Sequence, residues 1–366
     1  MTSLPIPSAV VAAAQRAADT YRELTGVAVD ATTLLAGRAG LVGHAPQGRV
    51  SAGGATRLLP CRDGWCALTL SRADDIAAIP ALLSADDIDD DPWPAVQRWV
   101  AGTDCAEVTG RARLLGLPVA GLAETRPAEP RHRPHGVPGR PRDLTGLLVA
   151  DLSVMWAGPL CGQLLRAAGA TVVKVETAAR PDGARFGPAA FFDWMNGGKL
   201  CYAADFDDPS GLRALLSAAD VVIESSRPAA LARRGLGPDQ VTPRDGRVWL
   251  RITGHGTEGE RANWVAFGDD AAVSGGLVLD GPAFCGDAIA DPLTGLHAAV
   301  EVARSLRGGG GELIELSMSG IAARYGELPR DQLTECRAVP RPDVGAPALG
   351  ADNAVVERLI GSHASC

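Results

Sequence analysis

From residue 143 onward, short apolar runs alternate with stretches of helical period. GLLVADLS (146–153), TVVKVE (171–176), LCYAADF (200–206), DVVIES (220–225) and RVWLRIT (247–253) are dense in Val, Ile and Leu, the pattern of strands covered on both faces. Between them, PLCGQLLRAAGA (159–170) and PSGLRALLSAA (209–219) read as helices, the first with Pro near its start and Gly at its end. A helix over 297–306 and a strand over 312–317 follow, joined by RGGGGE. This alternation predicts a doubly wound, mostly parallel α/β sheet of Rossmann-like type, with ligands at the carboxyl ends of its strands.

The first part has another texture. Val10, Ala13, Ala17, Tyr21 and Leu24 recur at helical spacing. ATRLLPC and WCALTLS read as strands, and RDGW between them carries the Asp-Gly of a hairpin turn. WPAVQRWVAGTD returns to a helical pattern. Residues 1–123 therefore read as a second, smaller α+β domain. ETRPAEPRHRPHGVPGR at 124–140, with the next two residues, is rich in Pro and Arg without apolar period, an extended linker over 124–142. The large domain spans 143–330, and 331–366 forms a carboxyl-terminal tail.

Composition narrows the chemistry. The chain has 366 residues, 46% of them hydrophobic, enough for a large core. A formal charge of −8 argues against nucleic acid as a partner. No run has the apolar length of a membrane span, and the amino terminus lacks the basic and apolar regions of a secretory signal, so a cytoplasmic protein is expected. Eight cysteines without a CxxC pair and six scattered histidines predict no metal site. The first strand–helix turn, DLSVMWAGPLCGQLL, lacks G-x-G-x-x-G, which removes NAD, and neither a P-loop nor G-x-S-x-G occurs.

Two aspartates four residues apart, Asp287 and Asp291, stand in CGDAIADPLTGLH. Pro292 makes Asp291 readable as a helix cap. Asp287 reads as a loop or cap residue. The glycine run Gly308–Gly311 reads as a plain turn or, less simply, as an oxyanion site.

A set of segments in order changes that picture. VADLSVMWAGPLCGQLLRAAGATVVKVE, ADVVIESSRPAALARRGLG, WLRITGHGTEG, GDAIADPLTGLHAAVEVARSLRGGGGELIELSMSG and VGAPALGADNAVVERLIG together resemble family III CoA-transferases, the group of formyl-CoA transferase, carnitine CoA-transferase and α-methylacyl-CoA racemase. LLPCRDGWCALTLSRADDIAAIPALL and WPAVQRWVAGTDCAEVTGRARLLGLPVAGL resemble that family's small domain, placed here before the large one instead of after it. The resemblance implies coenzyme A, carried as an acyl-CoA, and a carboxylic acid acceptor as ligands, and a homodimer of interlocked chains. It implies that Asp291, four residues before Gly295, is the catalytic nucleophile, forming an anhydride and then a thioester with CoA. By family position the backbone of Val154, Met155, Trp156 and Ala157 lines the ligand. Ser225 and Ser226 offer groups to an anion, with Lys199, Arg227 and Arg233 as cations.

Some positions depart from the family pattern. Leu200 replaces a second cation beside Lys199, and Thr177 stands where relatives carry a basic residue. The His-Asp pair of the racemases is replaced by Phe267 and Gly268, and a phenyl ring carries no proton. His255 and His297 read as structural. The rival readings are a degenerate CoA-binding protein without activity and, behind it, an acyl-CoA racemase.

Overall fold

The computed structural model describes residues 3–363. Its central sheet has seven strands in the order Arg131–Pro134, Glu312–Ser317, Val248–Thr253, Val221–Glu224, Leu148–Asp151, Thr171–Glu176 and Leu200–Ala203. Arg131–Pro134 pairs antiparallel at one edge, and every other pair is parallel. From Leu148–Asp151 the chain builds one half of the sheet outward. It then crosses to Val221–Glu224 and builds the other half. In doubly wound sheets the ligand crevice lies where the order reverses, which here is outside the carboxyl ends of these two strands.

Successive strand residues face opposite layers. Val149, Val172, Ile223, Leu250 and Ile314 enter one apolar cluster with helices Ala157–Ala167 and Ala290–Arg307. Leu148, Val173, Val222, Trp249 and Leu313 enter a second, under helix Ser210–Ala218. The doubly wound α/β fold expected from the apolar runs is the one observed.

Thr56–Pro60, Trp65–Thr69 and Val119–Gly121 form a three-stranded antiparallel sheet. Helices Trp93–Ala101 and Cys105–Leu114 close a separate apolar cluster on it around Leu59, Cys66, Leu68, Val96 and Val108. Residues 3–42 do not join this cluster. Helix Ser8–Thr25 packs on helix Ala290–Arg307, its Tyr21 hydroxyl donating to the Leu164 carbonyl at 2.8 Å. Helical period marks an apolar face but not its partner, so the assignment of residues 1–42 to the small unit is corrected.

Two other segments are more integrated than their composition suggests. Within the expected linker, Arg131–Pro134 joins the sheet edge. Glu312 and Glu315 of the adjoining strand meet its His132 and Arg133 at 3.2 and 3.4 Å. Backbone pairing needs no apolar period, which is why a polar run can serve as an edge strand. In the expected tail, Leu333–Cys336 pairs antiparallel with Leu4–Pro7, and helix Asn353–His363 places Val356 in the second cluster. No helix among the described residues is long and apolar enough to cross a membrane.

Candidate active site

The helix Ala290–Arg307 begins one residue before Asp291, with Ile289 as the preceding cap position. Asp291 therefore lies inside the first turn instead of capping it. Its carboxylate faces the backbone N–H of Ala157, the first residue of the helix that follows the first parallel strand, and that dipole favours the ionised form. Gly295 makes this approach possible. It sits one turn beyond Asp291 on the same face, and a Cβ there would stand 2.6 Å from the Ala157 carbonyl oxygen and 3.0 Å from Leu160. The spacing of aspartate and glycine is thus a packing requirement: a bare backbone at 295 brings the two helices together and lays the carboxylate against an amide at the crevice.

Asp291 keeps partial solvent access, while Ala290 and Pro292 on either side are buried. Opposite it stands Gly268, the first residue of helix Gly268–Ser274. A Cβ at 268 would overlap Asp291 Oδ2 and the Ala288 carbonyl oxygen. The glycine that departs from the family pattern is what leaves the carboxylate its space. Gly268→Ala is expected to cost about 1–3 kcal/mol of stability and to displace Asp291. Thermal unfolding and turnover of the variant check both.

Four carboxyl groups gather at this place. Against burial, Arg38 and His44 hold Asp287 down at about 2. Arg38 clasps it with both Nε (2.8 Å) and Nη2 (2.5 Å), and His44 Nδ1 lies 3.3 Å away. Burial raises Asp291 to about 7; Arg38 and the Ala157 amide oppose the rise, and Asp269 and Asp287 add to it. Burial likewise lifts Asp269 to about 6 and Asp270 to about 8. Asp269 accepts from the Ala288 amide at 2.9 Å, and Asp270 from Thr69 Oγ1 at 2.8 Å and the Phe267 amide at 3.0 Å. Asp287 lies in the turn before the helix, as a loop residue, but with a role the sequence did not show. It is the fully buried anchor of a guanidinium whose charge is also felt by Asp291.

Arg38, His44, Thr69 and Asp270 are the site residues that the sequence did not reveal. Arg38 lies 249 positions from Asp287, and its own helix, Ala31–Val42, looks like an ordinary small-residue helix. Only the fold brings it over the Trp156 ring, 4.8 Å from the ring centre.

The expected ligand-lining residues divide by role. Val154 is exposed at the crevice, and its N–H donates to Ser225 Oγ at 3.2 Å, joining the two central strands across the switch point. Met155 has φ +69°, and its N–H is taken by Asp182 at 3.0 Å. Trp156 is buried against Phe191, 5.4 Å between ring centres, and the Ala157 N–H faces Asp291. Ser226 Oγ is buried without a hydrogen-bond partner. Arg227 and Arg233 are exposed and form no ion pair among the described residues.

Lys199 requires a correction. It is fully buried, and its Nζ is held by Asp151 Oδ2 (2.9 Å), the Pro159 carbonyl (2.8 Å) and Asn196 Oδ1 (3.1 Å). Its protons are spent inside the fold, so it presents no charge to a phosphate. Lys199→Met should lower stability by about 3–5 kcal/mol by stranding Asp151, while the KM for acyl-CoA stays unchanged; denaturant titration and saturation kinetics read the two.

No group of His, Cys, Asp or Glu among the described residues has the geometry of a metal site. His297 Nε2 pairs with the Tyr325 hydroxyl at 2.9 Å, and His255 is buried against Trp264. Burial pushes both imidazoles down, to about 4 and about 3, so each is neutral at physiological pH. Gly308–Gly311 forms a turn packed on Gly139 and Gly246.

With this geometry in place, the comparisons identify the class. The profile of CoA-transferase family III matches residues 144–333, and the chain belongs to that family. It is similar to succinate–glutarate CoA-transferase of Agrobacterium fabrum, 31% identical over 212 residues, covering 50% of this chain and 53% of the relative. Human succinyl-CoA:glutarate CoA-transferase is 31% identical over 187 residues, covering 45% of this chain and 42% of that protein. A solved CAIB/BAIF family protein from Brucella suis aligns at 30% identity and a TM-score of 0.46, over 51% of this chain and 55% of that one. The chain spans about half the length of the curated relatives it matches.

Proposed function

We propose that the protein transfers CoA from an acyl-CoA thioester to a carboxylic acid through Asp291. The observation that carries this reading is the placement of one partly accessible carboxylate at the switch-point crevice, beside the Val154–Ala157 loop, in a space that Gly268 leaves open. The relatives' names support the reaction class.

The Asp291 carboxylate attacks the thioester carbonyl, forming a mixed anhydride and releasing CoA thiolate. The thiolate attacks the aspartyl carbonyl and expels the donor's carboxylate, leaving an aspartyl-CoA thioester. The acceptor carboxylate displaces the thiolate to form a second anhydride. The thiolate attacks the acceptor's carbonyl, and Asp291 is regenerated. Splitting the exchange this way is covalent catalysis, and the shielded site protects the anhydrides from water. The Ala157 N–H steadies the carboxylate and donates toward oxygen as charge builds there. Exposed Arg227 and Arg233 are the cations left to meet CoA phosphates, with Ser225 and Ser226 between them and the crevice. The working form is proposed to be a cytoplasmic homodimer.

The nucleophile must be ionised. Because Asp291 titrates at about 7, kcat/KM should rise with pH through a midpoint near that value and then level. A profile flat from pH 5 to pH 8 contradicts the assignment. Incubation of the purified chain with succinyl-CoA and a panel of dicarboxylates, glutarate among them, tests the function. CoA exchange supports it, whereas binding of CoA without exchange on any donor–acceptor pair identifies the non-catalytic binder.

A further inference from the structure

Three cysteines meet at one end of the small sheet. The hairpin pairs Leu59 with Cys66 and Pro60 with Trp65, so Cys61, two residues beyond Leu59, lies on the same sheet face as Cys66. Helix Cys105–Leu114 starts above them. The Cys105 amide donates to Asp63 Oδ1 at 2.8 Å, and its Sγ lies 3.3 Å from the Trp65 carbonyl oxygen. Gly121, paired with Cys66, lies beside the sulfur: a Cβ there would stand in ordinary contact with it, at 3.5 Å. Cys61 and Cys66 are both electrostatic neighbours of Cys105 and of one another. Cys66 is buried, while Cys61 and Cys105 are partly exposed.

We propose that this cluster is an oxidation site, in which a hydroperoxide converts Cys105 and Cys61 into a disulfide. The environment divides the three sulfurs by role. The neighbouring thiols of Cys61 and then Cys66, with Arg113 adding its charge against burial, hold Cys105 well below the ordinary thiol range. The same contacts with Cys105 hold Cys61 and Cys66 above it. As a thiol, Cys105 donates to the Trp65 carbonyl; as a thiolate, it has the two neighbouring thiols beside it. The thiolate is the reactive form, and a helix amino terminus with a nearby cation favours it.

The chemistry closes with the peroxide as oxidant. The Cys105 thiolate attacks one peroxide oxygen: an S–O bond forms, the O–O bond breaks, and the leaving alkoxide or hydroxide takes a proton. The Cys61 sulfur then attacks the Cys105 sulfenic acid. The S–S bond forms, the S–O bond breaks, and hydroxide leaves with the Cys61 proton as water. Two thiols lose two electrons in total, and the peroxide gains them. Cys66, buried beneath, is shielded from the oxidant.

The full chain, reduced and then treated with equimolar hydrogen peroxide, tests this. Arg62 lies between Cys61 and Cys66, so trypsin separates the candidate partners. After blocking with N-ethylmaleimide, the expected product is the peptide 58–62 disulfide-linked to 99–111. Before oxidation, iodoacetamide at pH 6 should label Cys105 at least about tenfold faster than Cys61. Cys61→Ser should leave a dimedone-reactive sulfenic acid on Cys105, and Cys105→Ser should abolish the link. Equal labelling of Cys61 and Cys105, or peroxide oxidation falling first on any other cysteine, overturns the proposal. So does a Cys61→Ser protein that captures no dimedone at Cys105.

Discussion

Asp291→Ala is expected to lower kcat by about 10⁴-fold or more, as removal of a covalent nucleophile does in other enzymes, while the protein remains folded. The second half of this result follows from linkage. The carboxyl of Asp291 titrates at about 7, well above its ordinary value of 3.8. The folded state therefore holds the proton more tightly than the unfolded chain does. Between those two values unfolding releases protons, and stability falls as pH rises. Above pH 7 the full cost of keeping an ionised Asp291 is present. The alanine variant, free of that cost, should be at least as stable as the parent at pH 8, read by thermal unfolding. Asp269 and Asp270, also raised by burial, act in the same direction. Asp287, held at about 2, acts oppositely: its contribution is present above its unfolded value and is lost as pH falls toward 2. Loss of turnover with gain of stability is the signature of a group retained for chemistry. A variant that loses both would make Asp291 a structural residue.

Arg38→Met should lower stability by about 3–5 kcal/mol, because it leaves the buried Asp287 carboxylate without its bidentate partner. It should also move the midpoint of the pH–rate profile upward from about 7, since the Arg38 charge favours the ionised form of Asp291. The double variant Arg38→Met with Asp287→Leu should recover much of the lost stability, as replacing a buried ion pair with apolar groups often does. It should not restore the original midpoint. Denaturant titration and the pH dependence of kcat/KM separate the two roles. A single variant with unchanged stability would show that the clasp on Asp287 is not needed.

These two sites show what the sequence could and could not reveal. The helix start at Asp291 was legible because its constraints are local, whereas the catalytic role proposed for Asp291 came from the family resemblance; from its neighbours alone it reads as a helix cap. Gly295 follows one turn later on the same face and Pro292 adjoins it, so the helix start and its close packing are written within five residues. The parallel strands were legible for a similar reason, since burial on both faces forces unbroken apolar runs. Arg38 was not legible. Its role depends on helix Ser8–Thr25 docking onto Ala290–Arg307, and nothing in a helical period names the surface it will meet. Lys199 failed in the opposite way. Its family position suggested a phosphate contact, but the actual partner, Asp151, lies 48 residues away on the first strand of the large domain and became visible only in three dimensions. Gly268 reads as a loss when judged against the family pattern and as a necessity once the Asp291 oxygen is seen beside it.

In the proposed reaction residue 291 becomes acylated during turnover. The direct measurement is to mix the purified chain with succinyl-CoA, quench with hydroxylamine, and locate the modified peptide by mass spectrometry. A hydroxamate at Asp291, absent without the acyl-CoA, is the predicted result. CoA transfer that proceeds at full rate while residue 291 stays unmodified under the same quench would contradict it.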